Sequence, residues 1–494
     1  MLPWGRDKMT PRWGQGRGTS STASVRVPGR NSRLPQMKDT AAVLPDPPLG
    51  PQLQSISRTD LLPDSDVANQ TVKIRDPEVI ASYNWLDKSI PSIVIPGGPP
   101  AWMPLHKPRK LKEDSGVYYR DLNAAHFPKH PMEPAIEAVM RVCSHEYAKT
   151  SSSGPDIVAC GSTLGNLLRF VRGDMKPFRI LVEVVGNTVH LIRREKSPRE
   201  IIPDVRGYGH TFPEAYTTWD ASVRGSLSHQ RMMRYRLGEL DCIVRFECDG
   251  YIPGQTNLDH TQEGVRSTQK VPDGSVGSVS DTLGGLVSSL DISPASPGSN
   301  PRGLLSISSA GSLKPQLSTF ELKTRTIKRR HMHDELLEEE LPRLWLKQVS
   351  SFIVGYHTYG EFQECVITNV QSDIRAWEQK HADELKRFMS LLLRIVQFAR
   401  DLEESKFEII RMQDSDKIDI RLQTPDLSPM LSIDAHRRWV AWLSGDDDRA
   451  DKKGVEEQGS RTISLGGEVS EDVPSLNYTA CDDECGYCGQ CSNE

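Results

Sequence analysis

The chain has 494 residues, with 61 Lys and Arg against 66 Asp and Glu and a net charge of −5, so it carries no global basic field. Any polyanion site must therefore be a local patch. Only 37% of residues are hydrophobic, beside 37 glycines and 34 prolines, which predicts one sizeable core with disordered flanks. No apolar run is long enough for a membrane span, which takes about 18 residues.

The first 39 residues are basic and rich in Arg, Gly and Ser, without the apolar stretch of a secretory signal. Residues 1–72 as a whole are expected to be a disordered basic, Pro-rich region, with Met37 a second candidate start and a mitochondrial presequence the lesser alternative. Cys143, Cys160, Cys242, Cys248 and Cys365 are scattered and form no disulfide framework, which implies a reducing, intracellular setting, nucleus or cytoplasm.

Ordered sequence is expected to begin near Ala81-Ser82-Tyr83-Asn84-Trp85-Leu86. Apolar spacing over 133–147 and 164–171 predicts short helices. Phe178, Ile180, Val182 and Val184 alternate, then Gly186-Asn187 signals a turn into Val189, Leu191 and Arg193, a predicted hairpin. A second hairpin is expected over 231–236 and 240–249, turning at Gly238-Glu239. Residues 255–316 are dominated by Ser, Gly, Pro and Asp and read as a flexible insert within one domain. Strand-like sequence resumes at Leu317. Helical spacing follows over 344–357 and 373–402, the second with Ile374, Trp377, Leu385, Phe388, Leu392, Ile395 and Phe398 near one face. Strands are expected at 407–412 and 418–422, and the core to end near 444.

The predicted organisation is thus a domain in two parts, 73–254 and 317–444, around the insert. A charged, Gly-rich linker (445–478) and a Cys-rich tail (479–494) follow. The fold class is α+β, a mixed β-sheet core flanked by helices.

On strand 240–249 alternation puts Asp241, Ile243, Arg245, Glu247 and Asp249 on one face, so two acids project together. Glu321 and Lys323 share a face in the same way. Clustered carboxylates repel unless a cation lies between them, and oxygen ligands suit Mg²⁺ or Mn²⁺. Such acid pairs also occur on solvent-facing strands. Cys481, Cys485, Cys488 and Cys491 give a spacing that suits Zn²⁺ or an iron–sulfur cluster, with metal supplying the folding energy. The alternative is an unstructured reactive tail. The His229, Arg231, Arg234, Arg236 run and Lys328-Arg329-Arg330-His331 are candidate phosphate contacts or local charge runs.

Four stretches carry a family resemblance: 81–86, 207–217, 245–251 and 320–324. They resemble a fungal family often labelled geranylgeranyl pyrophosphate synthetase-like, and through it the DXO-type decapping exoribonucleases. The family's motifs fall on Gly209 to Glu214, Glu247-Cys248-Asp249, Glu321-Leu322-Lys323 and Gln348. The resemblance implies a PD-(D/E)XK (restriction-endonuclease-like) core and metal-dependent hydrolysis at an RNA 5′ end. Glu247, Asp249 and Glu321 would hold Mg²⁺ or Mn²⁺, Lys323 would assist the water, Gln348 would position substrate, and Glu214 would be a fourth acid. Two departures stand out. Gly161 occupies the place of an expected arginine, and the first acid's position falls on Pro213, with Glu214 one residue late, about 100° around a helix. They keep open a second reading, a catalytically inactive nuclease-fold scaffold for RNA or a protein partner. Asp447-Asp448-Arg449-Ala450-Asp451 matches the Asp-rich string of prenyl synthases, but without a second copy and beside a mixed β core it does not argue for prenyl transfer.

Overall fold

Both expected hairpins form, and their turns show why. In the computed structural model, which describes residues 46–62, 71–143, 154–255, 266–270 and 304–445, Gly186 and Gly238 take positive φ values of 59° and 58°. The conformation suits glycine, which has no Cβ to clash. In chain order the strands and helices are β1 (Gln52–Ser57), β2 (Ile74–Leu86), β3 (Ser92–Gly97), β4 (Ala101–Trp102), α1 (Leu122–His126), α2 (Glu133–Val142), β5 (Ile157–Cys160), α3 (Gly161–Arg172), β6 (Phe178–Val185), β7 (Thr188–Arg194), α4 (Thr211–Tyr216), β8 (Thr217–Thr218), β9 (Ser226–Leu237) and β10 (Leu240–Glu247). Then come β11 (Gly250–Tyr251), β12 (Arg266–Lys270), β13 (Ser306–Gly311), β14 (Thr319–Thr326), α5 (His333–Lys347), β15 (Ser351–Thr358), β16 (Glu361–Asn369), α6 (Gln371–Lys380), α7 (Ala382–Asp401), β17 (Lys406–Arg411), β18 (Lys417–Leu422) and α8 (Ile433–Ser444).

Two mixed sheets result, and the class is α+β. The larger runs β1-β18-β17-β6-β7-β5-β10-β9-β2-β3-β13, and the smaller β12-β16-β15-β14-β11-β4-β8. At the heart of the larger sheet β5 and β10 are parallel, with Arg245 opposite Cys160. After Glu247 the chain leaves this sheet, and from Gly250 it joins the smaller one beside β14. Glu247 and Asp249 therefore sit at the crossing between sheets, and Glu321 comes to them on β14.

One face of the larger sheet buries Cys242, Val244 and Phe246 against Leu164 and Leu168 of α3, Leu344 and Trp345 of α5, and Leu385, Phe388 and Leu392 of α7. The other buries Tyr83, Trp85, Met232 and Ile243 against Ile136 of α2 and Trp439 of α8. A third cluster joins Phe320, Leu322 and Ile353 of the smaller sheet to Phe212 and Tyr216 of α4. No described helix is long and apolar enough to cross a membrane.

Several boundaries differ from the sequence reading. Within the expected disordered stretch 1–72, β1 forms an edge strand on β18, with Ile56 buried. β2 begins at Ile74, not near 81, because it pairs along β9 from Leu237 onward. The insert 255–316 contributes β12, paired with β16, and β13, parallel to β3. A Ser-rich segment has little apolar signal, so its strands depend on edges supplied by distant residues. The expected helix over 344–357 is half helix and half strand. α5 ends where Gln348 takes φ 51°, and Ser351–Thr358 then forms strand β15, buried up to His357 and parallel to β14. The helix over 373–402 divides at His381 into α6 and α7 with the expected face inward.

Candidate functional site: a basic cleft ending on clustered carboxylates

The carboxyl ends of parallel strands are where open sheets place ligands, because loops and helix N-termini converge there. Here the ends of β5 and β10 open into a cleft of about 1140 Å³. Of the residues lining it, twelve are Lys or Arg and seven are Asp or Glu, a local positive excess in a chain whose net charge is negative. Arg169 and Arg172 come from α3, Arg179 from β6, Arg193 and Arg194 from β7, and Arg325 from β14. Neutralisation is incomplete: Arg179 and Arg194 share the single buried carboxylate of Glu408, at 2.5 and 2.9 Å.

Glu247 and Asp249 line the cleft, as do Glu340, Arg343 and Lys347 of α5. Glu321 lies with them, only 2% exposed. Lys347 Nζ donates to its Oε2 at 2.8 Å, Arg343 Nη2 lies 3.4 Å from its Oε1, and Lys323 Nζ 3.6 Å from the same atom. Lys323, 1% exposed, sits between Glu321 and Glu340, at 3.5 Å from the latter. Asp249 Oδ2 accepts from the Leu322 amide at 2.7 Å, which ties β10's end to β14. Structure thus brings four of the sequence-derived residues together: Glu247, Asp249, Glu321 and Lys323.

Their electrostatics differ. Burial, then the Asp249 charge, pushes Glu247 up to about 8. Burial and the neighbouring Glu321 raise Asp249. Burial also opposes ionisation of Glu321, but Arg343, Lys347 and Lys323 outweigh it and hold that carboxyl below its ordinary value.

Glu214 does not join them. α4 turns Phe212 and Tyr216 into the third apolar cluster, which leaves Glu214, about 200° from Phe212, facing outward. Burial and the nearby Asp114 raise its pKa, and it does not line the cleft. Gln348 caps α5 instead, its Nε2 donating to the Trp345 carbonyl at 2.6 Å. Cys481, Cys485, Cys488 and Cys491 lie outside the described residues.

The basic run on β9 is neither an RNA surface nor a solvated face over most of its length. Arg234 forks onto Asp241, and Arg231, fully buried, donates to the Lys314 carbonyl. Of Lys328-Arg329-Arg330-His331, Arg329 lines the cleft and Arg330 pairs with Glu364 at 3.1 Å.

Sequence reasoning missed Lys347, Arg343 and Glu340. The available signal was their 340, 343, 347 spacing, which puts them along one face of a helix. It also missed Arg169, Arg172, Arg179, Arg193, Arg194 and Arg325, which come from separate elements and have no shared motif, whereas Arg329 lay in a run already marked as a candidate phosphate contact.

The donor set is oxygen-only and suits Mg²⁺ or Mn²⁺, and a cation would offset the desolvation and mutual repulsion that disfavour the ionised forms of Glu247 and Asp249. As the side chains stand, no group of three or more His, Cys, Asp or Glu among the described residues is arranged to hold a metal ion. Lys347, Arg343 and Lys323 neutralise Glu321 in its place.

Solved structures similar to the chain include Rai1 of Scheffersomyces stipitis in complex with (3′-NADP)⁺ and calcium, 10% identical, TM-score 0.48, covering 80% of this chain and 99% of that one. Rai1 of Candida albicans in complex with pU5-Mn²⁺ is 11% identical, with TM-score 0.47 and coverage of 79% and 100%. Dxo1 of K. lactis in complex with manganese is 9% identical, with TM-score 0.41 and coverage of 76% and 98%. No curated protein matches the sequence. The profile of the family described as "Domain of unknown function (DUF8563)" matches residues 62–421, most of the chain. The protein, with its carboxylate cluster and the strands that carry it inside the matched region, belongs to that family.

Proposed function

We propose that the cleft binds the 5′ end of an RNA and that the protein is a divergent, metal-dependent phosphodiester hydrolase of the DXO type. One observation carries the reading: a cleft with twelve basic side chains in a chain of net charge −5 ends on half-buried Glu247 and Asp249, with buried Glu321 and Lys323 beside them. Arginine-rich walls suit a phosphate backbone, and crowded buried carboxylates are costly unless they serve a cation.

Glu247, Asp249 and Glu321 would hold Mg²⁺ or Mn²⁺. When bound, such an ion supplies Lewis acidity toward the phosphate and makes a water more acidic. Lys347, whose Nζ donates to Glu321 Oε2 at 2.8 Å, would compete with the ion for that carboxylate. Lys323, between Glu321 and Glu340, would hold a water or offset developing negative charge. The cleft arginines orient the polyanion. The motif resemblance on Glu247-Cys248-Asp249 and Glu321-Leu322-Lys323 points to the same chemistry on a PD-(D/E)XK core.

A second reading, an inactive RNA- or protein-binding scaffold, is favoured by the cations already neutralising Glu321 and by Gly161. The test is Mn²⁺-dependent release of product from 5′-capped, 5′-NAD and 5′-phosphate RNA, wild type against Asp249→Ala. Activity that vanishes in the variant supports the hydrolase. A folded wild type that binds RNA and cuts none of the three overturns it in favour of the scaffold.

A further inference from the structure

The arginine expected at position 161 is absent, yet no backbone demand for glycine explains this. Gly161 has no positive φ, and a Cβ built there would meet only Phe246 Cβ at 3.7 Å and the Arg245 carbonyl at 3.9 Å, ordinary contacts. Gly161 is the first residue of α3, a twelve-residue helix whose N-cap, Cys160, supplies no side-chain hydrogen bond. First-turn amides have no partner within a helix, and a helix N-terminus favours an anion. Gly161 and Ser162 line the cleft.

A second feature lines the same cleft. Arg245, opposite Cys160 in the parallel pairing, lines the cleft while only 7% exposed. Its guanidinium meets the Tyr83 hydroxyl and faces Asp121, while its Nη1 has no hydrogen-bond partner among the described residues. Gln230, 2% exposed and opposite Glu247 across the β9–β10 pair, lines the same wall, and its Nε2 also has no partner among them. Pairing opposite Glu247 places Gln230 on the sheet face that Arg245 and Glu247 share, since Arg245 is two residues before Glu247. Buried donors left unpaired are costly, by about 1–3 kcal/mol each, so their accumulation at one wall points to an acceptor.

We infer that the N-terminus of α3, Arg245 and Gln230 form a phosphate-binding subsite, in which Arg245 supplies from the neighbouring strand the guanidinium that position 161 lacks. The ligand is a phosphate group with unesterified or backbone oxygens. One oxygen accepts from the α3 amides, another from Arg245, and Gln230 donates on the side toward Glu247. Its identity as an RNA phosphate rests on the function proposed above, whereas the subsite itself does not.

The test is calorimetric titration of the full chain with inorganic phosphate in EDTA. One site is expected, weakened at least tenfold in Arg245→Met. The double variant Gly161→Arg/Arg245→Met, with its guanidinium moved to the helix end, is expected to recover most of that loss. Phosphate binding that stays within twofold in a cooperatively melting Arg245→Met overturns the subsite, as does a wild type that binds no phosphate. Should Arg245→Met fail to fold, Gln230→Leu carries the test: weakening of at least threefold supports the subsite, and less overturns it. A fluorescent pentauridylate, followed by anisotropy, separates the two proposals. Arg245-dependent phosphate binding without oligonucleotide binding retains the subsite and overturns the RNA reading. Oligonucleotide binding with no dependence of phosphate affinity on Arg245 does the reverse.

Discussion

Lys347→Met probes the centre of the carboxylate cluster. Nζ of Lys347 lies 2.8 Å from Glu321 Oε2, with side chains 6% and 2% exposed. At an effective dielectric of about 20 the gross attraction at that distance is about 6 kcal/mol. Removing the lysine also relieves its own desolvation. Breaking one partner of a buried pair costs about 3–5 kcal/mol because the other charge is left behind. Arg343 at 3.4 Å and Lys323 at 3.6 Å still face Glu321, so the lower end applies, about 3 kcal/mol. For a folded region of about 340 residues that lowers the melting midpoint by about 4 °C. The assay is urea and thermal unfolding of Lys347→Met, Glu321→Gln and the double variant. A coupling energy of about 2 kcal/mol is expected, since the variants remove a shared contact. The stabilisation has a sign in pH. Glu321 is held below its ordinary value, so its contribution is present above that value and is lost as pH falls through the depressed one. Coupling below about 0.5 kcal/mol at neutral pH, or coupling that grows on acidification, would refute the reasoning.

Three further outcomes follow from the same geometry. Glu247, pushed up to about 8, favours the fold when protonated; that stabilisation is complete below the ordinary glutamate value and is lost as pH rises through about 8. Thermal melts of Glu247→Gln should therefore show a shallower decline between pH 5 and 9 than the wild type, the part that remains belonging to Asp249, whose carboxyl is raised as well. Arg325→Ala and Arg329→Ala each remove one cation from the cleft and should weaken single-stranded RNA binding, with the slope of log affinity against log salt reduced by about 0.7 each. Unchanged slopes would place the RNA elsewhere. Leu344→Ala, at a fully buried position of α5, should cost about 3 kcal/mol by cavity formation, read by chemical denaturation.

Local chemistry was legible wherever a signal is short-range. Side-chain alternation on 240–249 put Glu247 and Asp249 on one face, and structure divides those residues as expected, Cys242, Val244 and Phe246 toward one core and Ile243 toward the other. Turn residues Gly186 and Gly238 marked both hairpins. The helical face of 373–402 was readable because seven apolar residues repeat with the right period, although the break at His381 was not. Where signals are weak, the reading failed. Ser-rich 306–311 and the Pro-flanked 52–57 carry little apolar pattern and become strands by pairing with edges. The run Val349-Ser350-Ser351-Phe352-Ile353-Val354 has enough apolar residues for either period, and a neighbour, β14, decided for the strand.

What the sequence by itself determined is the α+β class, the two carboxylate-bearing strands and the sharing of a face by Glu247 and Asp249 and by Glu321 and Lys323, because a strand's period of two is a local property. Only the tertiary structure decided that β10 and β14 meet through Asp249 and the Leu322 amide, that Lys347 and Arg343 neutralise Glu321, and that Glu214 and Gln348 turn elsewhere. Tertiary structure alone also gathered arginines from α3, β6, β7 and β14 into one wall. Charges far apart in sequence add their fields only once the fold sets the distances between them, and that information is absent from any local pattern.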